Sequence, residues 1–132
     1  MHKSFLVTAA ILGAASVAIG AFGAHGLKSI LNAEALTTYE TAVRYQFYHV
    51  FALALTGVLY QSFPNKKMIR AGYFFIAGIV LFSGSLYLLT LAGPAYRWLG
   101  AITPFGGVCF ITGWLHLAAG IRDQGKTGSG KL

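Results

Sequence analysis

Four long runs of apolar residues constrain the fold of this chain more than any other feature of its sequence. They cover residues 5–24, 45–63, 71–92 and 98–121. A helix needs about 20 apolar residues to cross the hydrocarbon core of a bilayer, which is about 30 Å thick. Each run is long enough for this. Residues 1–123 are therefore predicted to form one all-α integral membrane domain, a four-helix bundle with four transmembrane spans.

The low charge of the chain supports this prediction. Charged residues make up only 10% of the sequence, whereas soluble domains carry about 25%. The formal net charge is +7, but the basic residues lie at the ends of the apolar runs and form no stripe that could follow a nucleic-acid backbone. Nucleic acid is therefore not an expected partner. Cys109 is the single cysteine, so an intrachain disulfide is impossible.

The distribution of basic residues predicts the orientation in the membrane. If the four spans alternate, seven of the 10 basic residues share one side and three share the other. The larger set comprises Lys3, Lys66, Lys67, Arg70, Arg122, Lys126 and Lys131, and the smaller set comprises Lys28, Arg44 and Arg97. The positive-inside rule then places both termini in the cytoplasm. A signal peptide over the first run is the alternative, but that run is long for a signal core.

The connection between the first two runs is predicted to contain an amphipathic helix that lies at the outer surface and continues into the second span. Asn32 can cap a helix that starts at Ala33. Thr37 and Glu40 have the spacing of a capping box. This connection is therefore expected to be ordered.

Pro104 in the fourth run allows two structures. It either kinks one long helix, or it follows a Thr103 cap and occupies the first position of a shorter helix, where its missing N–H costs nothing. We favour the second structure, in which residues 98–102 form a short leading segment.

Glycines recur at intervals of seven residues in the first and fourth runs. Seven residues return to nearly the same face of a helix, and small residues let helices approach closely in lipid. The predicted helix-packing positions are Gly13, Gly20, Gly23, Gly106, Gly113 and Gly120. A contact between protomers of a homo-oligomer is the alternative use of these faces.

Polar side chains concentrate in the outer half of the predicted bundle. The candidate polar or ligand cluster comprises His25, Glu40, Arg44, Tyr45, Gln46 and His49. Glu40 precedes Arg44 by four residues, the favourable order for an ion pair on a helix. The His49 imidazole needs a hydrogen-bond partner, for which Gln46 or a serine of the third span is predicted. The cluster is either a structural joint or a site for a proton, an ion or a lipid headgroup.

Catalysis and cofactor binding are not expected. The histidines do not have metal-ligand spacing on one helix, so neither a metal nor another cofactor is predicted. Residues 120–127 fit the phosphate-binding pattern G-x-x-x-x-G-K-T, but a predicted membrane helix precedes them where that motif requires a strand. Residues 124–132 are instead predicted to be a flexible tail. The chain is therefore not expected to be an enzyme.

Several segments together resemble a known family. They are GAFGAHGL at 20–27, YETAVRYQFYH at 39–49, FSGSLYLL at 82–89, LGAITPFGG at 99–107, and the pair Gly113 and Trp114. These segments resemble the domain of unknown function 423, grouped with the transmembrane protein 256–YgdD family of small four-span membrane proteins. The resemblance covers residues 3–121 and implies four membrane helices without an established activity. Its family-type positions are Gly23, His25, Gly26, Glu40, Arg44, Gln46 and His49.

Two functions are compatible with these observations. The first is an accessory or structural membrane component that contacts membrane lipids, copies of itself or other membrane proteins. It predicts that Glu40 and Arg44 are paired within a closed cluster. The alternative is a carrier or binding protein for a proton, an ion, a lipid or a small amphiphile, which predicts a cavity open to the outer side. The expected location is the bacterial cytoplasmic (inner) membrane.

Overall fold

The computed structural model describes residues 1–127, and their side chains up to residue 123. All secondary structure in this part is helical, which agrees with the all-α prediction. The elements are α1 (Lys3–His25), α2 (Ala33–Leu59), α3 (Lys66–Gly78), a π segment (Ile79–Gly84), α4 (Ser85–Leu91), a 3-10 helix (Pro94–Ala101) and α5 (Thr103–Thr127). The predicted flexible tail starts within the last turns of α5, and its residues 128–132 lie outside the described part of the chain.

The start of α2 agrees with the prediction, but its capping box does not. The Asn32 side chain accepts a hydrogen bond from the Ala35 N–H at 2.8 Å and so caps the first turn. Thr37 lies inside the helix, where its hydroxyl donates to the Ala33 carbonyl one turn back. The predicted capping box of Thr37 with Glu40 is therefore wrong.

From its start, α2 runs for 27 residues without a break. It contains a single glycine, Gly57, and no proline, so nothing in its sequence interrupts the helix. The predicted amphipathic segment is therefore the first part of α2 and not a separate helix.

α3, the π segment and α4 follow one another directly and form one continuous helical rod, Lys66–Leu91. We call it the third rod, because α1 and α2 are the first two. In its central six residues the hydrogen bonds span five residues instead of four. Within this π segment the Ser83 hydroxyl donates to the Ala42 carbonyl of α2 at 2.7 Å. The widened turn therefore lies directly against α2.

The last rod begins with the sharp turn at Gly93, whose φ of 87° is in the left-handed region that favours glycine. The 3-10 helix follows, and α5 begins at Thr103, so Pro104 lies in the first turn as in the favoured prediction. The Thr103 hydroxyl does not cap α5 as predicted. It lies instead 2.7 Å from the Ser85 hydroxyl of α4.

The rods pack as two pairs with a shared apolar core. α1 lies along α2 and α3 lies along α5, while α2 also contacts α3, the π segment and α4. The core includes Phe5, Leu53, Met68, Phe75, Phe110 and Leu117.

The predicted glycine positions lie inside these pairings. Gly13 and Gly20 of α1 face valines of α2, Gly23 faces the Tyr39 ring, and the three predicted glycines of α5 face the Lys66–Leu91 rod. The pairs are Gly13 with Val50, Gly20 with Val43, Gly106 with Phe82, Gly113 with Phe75 and Gly120 with Met68. Three further close approaches between helices, at Gly57, Gly72 and Gly78, do not follow the seven-residue interval and were not predicted. Both seven-residue series are therefore covered within one chain.

The outer surface of the bundle is apolar, with Phe51 and Leu115 about two-thirds exposed. A soluble protein rarely leaves such a surface to water. Among the described residues, three helices are long and apolar enough to cross a bilayer: Lys3–His25, Lys66–Leu91 and Pro94–Asp123. α2 is less apolar, because it carries Arg44, Gln46 and His49. The part of the chain that the structure describes is thus all-helical, with three strongly apolar candidate membrane spans.

Candidate functional site

The residues predicted to form one polar cluster lie on different faces of the bundle. Gln46 and His49 are buried, with 3% and 5% of their surface exposed. Tyr45 is partly exposed. The exposed members are His25, Glu40 and Arg44. We call the end of the bundle where α1 ends and α2 begins the His25 end, and the opposite end the Lys66 end.

Gln46 connects three helices. Its Nε2 donates to the Leu12 carbonyl of α1 at 3.2 Å, and its Oε1 accepts a hydrogen bond from the Tyr87 hydroxyl of α4 at 2.6 Å. A buried amide needs such partners, because lipid offers none. Every buried side-chain nitrogen and oxygen among the described residues is likewise hydrogen-bonded. Gln46 is therefore a structural joint with no free polar atom directed at a ligand.

Tyr39 extends this joint toward the His25 end. Its hydroxyl donates to the Ile19 carbonyl of α1 at 2.6 Å, and its ring lies 5.4 Å from the ring of Tyr87. The ring packs directly on Gly23, where a Cβ atom would overlap it. Because Gly23 has no side chain, the Tyr39 ring can pack against the backbone of α1 at this position.

The hydrogen bonds of His49 determine its protonation. Its Nδ1 lies 2.7 Å from the Tyr45 carbonyl, and its Nε2 lies 3.2 Å from the indole Nε1 of Trp114 in α5. A carbonyl can only accept and an indole N–H can only donate. The imidazole is therefore neutral, with its proton on Nδ1. The predicted partners, Gln46 or a serine of the third span, are wrong.

Aromatic rings enclose this histidine. The Phe110 ring stacks on the imidazole with 3.4 Å between ring centres and an interplanar angle of 9°. Tyr45 stacks in turn on Phe82 of the π segment at 4.7 Å. Tyr45 and His49 thus belong to the interface of α2 with the third rod and α5.

Glu40 and Arg44 lie on a different face of α2, beside α1. They line an open groove of about 270 Å³, which we call the α1–α2 groove. Its lining residues are Gly20, Gly23, Ala24, Tyr39, Glu40, Val43 and Arg44. Glu40 and Arg44 do not form the ion pair that their spacing predicted. Among the described residues the salt bridge joins Lys67 to Asp123 at the Lys66 end.

A second open groove of about 320 Å³ lies at the His25 end, between the start of α2 and the chain around the 3-10 helix. Its lining residues are Asn32, Glu34, Ala35, Thr38, Leu89, Thr90, Gly93, Pro94 and Arg97. Glu34 and Arg97 bring opposite charges to it. This groove was not predicted from the sequence, because its two walls, residues 32–38 and 89–97, are far apart in the chain.

Metal binding finds no support in the described residues, where no group of three His, Cys, Asp or Glu side chains is close enough to hold an ion. His25, the last residue of α1, is exposed.

The chain was compared with known proteins. Residues 19–107 match a family model described as "Protein of unknown function (DUF423)". The chain is 44% identical over 115 residues to the UPF0382 membrane protein SH2409 of Staphylococcus haemolyticus, covering 87% of this chain and 92% of that protein. It is 41% identical over 116 residues to the UPF0382 membrane protein YwdK of Bacillus subtilis, covering 87% and 93%. A UPF0382 membrane protein of Haemophilus influenzae is 41% identical over 124 residues, covering 91% and 94%. No solved structure matches.

Proposed function

Because this chain belongs to the DUF423 family, we propose that it is a four-span protein of the bacterial cytoplasmic membrane with both termini in the cytoplasm. The packing of α2 along α1 supports the fourth span. Contacts between the two helices occur at three levels, near Gly20, Gly13 and Gly57. Since α1 is an apolar candidate span of 23 residues, a helix that accompanies it along its length crosses with it.

The polar residues of α2 are compatible with this crossing. The buried polar side chains of α2 include Gln46, His49 and Thr56, and all three are hydrogen-bonded. Gln46 bonds to α1 and α4, His49 bonds to the Tyr45 carbonyl of its own helix and to Trp114 of α5, and Thr56 donates to the Ala52 carbonyl. Their partners offset the cost of removing them from water. α2 carries polar residues and is less apolar than the other helices. It can still cross the membrane, because residues within the bundle supply their hydrogen-bond partners.

The charges at the two ends support the orientation. Within residues 1–123 the Lys66 end carries five basic residues, and the remainder of the chain toward the His25 end carries three. The five are Lys3, Lys66, Lys67, Arg70 and Arg122, and the three are Lys28, Arg44 and Arg97. The positive-inside rule assigns the Lys66 end to the cytoplasm.

Cysteine labelling tests the topology. In a chain with Cys109 replaced by alanine, Ser29→Cys and Lys66→Cys are each exposed to a membrane-impermeant maleimide on spheroplasts. We expect Ser29→Cys to react in intact spheroplasts and Lys66→Cys to react only after lysis. Labelling of both positions from one side would show that α2 does not cross, and the opposite pattern would invert the orientation.

For the role, we propose a non-catalytic accessory component that acts through its surface, with lipids, copies of itself or other membrane proteins as partners. The closed interior is the observation that carries this proposal. Buried polar atoms of the described residues are all hydrogen-bonded, and both ring nitrogens of His49 have partners within the protein. A carrier needs a pathway that opens to both sides.

Two measurements test this role. Proteoliposomes containing the protein should leak protons and K⁺ at the rate of protein-free vesicles, and a faster, protein-dependent flux would refute a closed interior. A photo-crosslinking residue in place of the exposed Trp98 should give discrete protein adducts in the native membrane. Lipid adducts alone would contradict contact with a protein partner.

One expectation of the accessory role is not met. Glu40 and Arg44 are neither paired nor enclosed, and they line an open groove. This arrangement favours a ligand-binding site on the surface as a second function, which a closed interior does not exclude.

A further inference from the structure

We propose that the α1–α2 groove binds the headgroup of one zwitterionic aminophospholipid, with the lipid phosphate on Arg44 and its ammonium on Glu40. This inference goes beyond the accessory role, but it rests on the proposed crossing of α2, which places the groove at a boundary of the bilayer. The lipid class follows from the depth, the order and the separation of the two charges.

The length of α2 sets the depth of the groove. A helix of 27 residues is about 40 Å long at 1.5 Å per residue, whereas the hydrocarbon core is about 30 Å thick. The surplus of about 10 Å lies at the N-terminal side, where the polar first turns of α2 are. Glu40, about 10 Å from the start of α2, then lies where the hydrocarbon gives way to the headgroups. Arg44 lies about 6 Å deeper, from where its long side chain extends toward the headgroups.

A charge at this depth is stabilised by a partner. Arg44 is exposed and has no acidic residue within ion-pair distance among the described residues. Unpaired charges near the hydrocarbon are costly, and arginine binds phosphate with two parallel hydrogen bonds. The phosphate of a lipid is the anion present at this level of every bilayer.

The order of the charges selects an amine-bearing lipid. α2 enters the bilayer from its N-terminus, so Glu40 lies four residues, about 6 Å, nearer to water than Arg44. In an aminophospholipid the phosphate is attached to the glycerol, and the ammonium follows two carbons farther toward water. The two groups therefore meet charges of opposite sign in the same order. An anionic lipid without an amine would satisfy Arg44 but place its negative charge beside Glu40.

The shape of the groove suits a headgroup but not a whole lipid. Its volume is about 270 Å³. Pockets that bury most of a drug-sized ligand have larger volumes, about 300–1,000 Å³. Its apolar wall consists of small residues, namely Gly20, Gly23, Ala24 and Val43. The acyl chains therefore remain in the bilayer, next to α1.

Two pairs of matched variants separate the charges of the groove from the charge of the whole surface. Arg44→Gln removes the phosphate partner, and Lys28→Gln removes an exposed basic residue outside the groove. Glu40→Gln removes the ammonium partner, and Glu34→Gln removes an acidic residue of the same helix that does not line this groove.

Native mass spectrometry of the detergent-solubilised chain measures the binding. It is titrated separately with phosphatidylethanolamine, phosphatidylcholine and phosphatidylglycerol of identical acyl chains. We expect one tight phosphatidylethanolamine per chain and weaker binding of the other two. Arg44→Gln should weaken phosphatidylethanolamine binding about tenfold or more, the effect of one lost charged hydrogen bond. Glu40→Gln should abolish the preference over phosphatidylglycerol, and the two control variants should behave as the unmodified chain does.

A steric variant tests the location without touching a charge. Ala24 is exposed and lines the groove, so Ala24→Leu fills it without entering the core. The matched control is Ala21→Leu, an exposed position of α1 that does not line the groove. Ala24→Leu should lose the tight lipid, and Ala21→Leu should keep it. Helical circular dichroism with a thermal midpoint close to that of the unmodified chain shows that each variant is folded.

Three results would overturn the proposal. The first is a preference of the unmodified chain for phosphatidylglycerol, which would indicate an anionic-lipid site. The second is equal lipid binding by Arg44→Gln and the unmodified chain. The third is a dimer that Ala24→Leu alone dissociates, which would indicate that a second copy fills the groove. Binding in detergent does not depend on orientation. Its failure is therefore distinct from a failure of the proposed topology, which the labelling experiment measures.

Discussion

Gly106 and Gly107 are adjacent in α5, yet a methyl group at each position would meet very different surroundings. A Cβ atom at Gly106 would overlap the backbone N and Cα of Phe82 in the π segment, whereas at Gly107 it would find nothing within 4 Å. A side chain could rotate away from such an overlap, but the backbone of a packed helix cannot. Gly106→Ala should therefore push α5 away from the third rod, and Gly107→Ala should leave the packing unchanged.

The magnitude follows from the difference between the two variants. Glycine to alanine stabilises a helix by up to about 1 kcal/mol, and this gain is nearly the same at two adjacent positions. Forcing extra volume into a packed core costs about 1–3 kcal/mol. Subtracting one variant from the other removes the propensity term, so Gly106→Ala should be less stable than Gly107→Ala by about 1–3 kcal/mol.

Unfolding in mixed micelles measures this difference. The fraction of sodium dodecyl sulfate is raised stepwise, and the loss of tertiary structure is followed by tryptophan fluorescence and helical circular dichroism. The free energy of unfolding of each variant is then extrapolated to zero denaturant. Equal stability of the two alanine variants would refute the close packing of α5 on the π segment.

Three further outcomes follow from polar contacts. Gln46→Leu leaves the Tyr87 hydroxyl without its partner, so it should lower the free energy of unfolding by about 1–3 kcal/mol. A double-mutant cycle with Tyr87→Phe should give a coupling energy of about 0.6–1.7 kcal/mol. A coupling energy of zero would contradict the hydrogen bond. Trp114→Phe removes the indole N–H that donates to His49 Nε2, whereas the Tyr45 carbonyl still holds the proton on Nδ1. ¹⁵N NMR should therefore show the Nδ1–H tautomer in both chains and a shifted Nε2 resonance in the variant; an unchanged Nε2 resonance would disprove the contact with Trp114. Lys67→Met removes an ion pair whose side chains are both 40% exposed, and it should change the free energy of unfolding by less than about 1 kcal/mol, whereas a larger loss would show that this pair is shielded from water.

The features that depend on local sequence were predictable. Long apolar runs identify membrane helices because the bilayer leaves few other ways to satisfy the backbone. Asn32 caps α2 through a contact three residues away. The glycine pairings of α1 and α5 also follow from sequence, since a seven-residue interval fixes a helix face before the facing helix is known.

The division of the polar cluster follows from the geometry of α2. At about 100° per residue, Arg44 and Gln46 are about 200° apart around α2, so they point to opposite sides. Arg44 lines the α1–α2 groove, whereas Gln46 lies in the interior, where it bonds to both α1 and α4. Similar depth in the membrane places these residues in one group, but their angle around α2 separates Arg44 in the groove from Gln46 in the interior.

Long-range contacts decide the remaining features. The partner of His49 is Trp114, 65 residues away, and the periodicity of α2 does not show which residue of another helix will face it. The π segment has the composition IVLFSG, as apolar as the helix around it. Its register depends on tertiary contacts such as Ser83 with Ala42, which sequence periodicity does not encode.

The π segment also determines which side chains of the third rod share a direction. In an uninterrupted α-helix, Phe75 and Tyr87 would be about 120° out of phase, since they are 12 residues apart in the numbering. Hydrogen bonds that span five residues absorb one residue, or about 100° of rotation, which leaves a phase difference of about 20°. The wide turn thus acts as a phase correction. Phe75, which packs against α5, and Tyr87, which bonds to α2, therefore both point toward the bundle axis. Their spacing of 12 residues in a regular α-helix would not allow this.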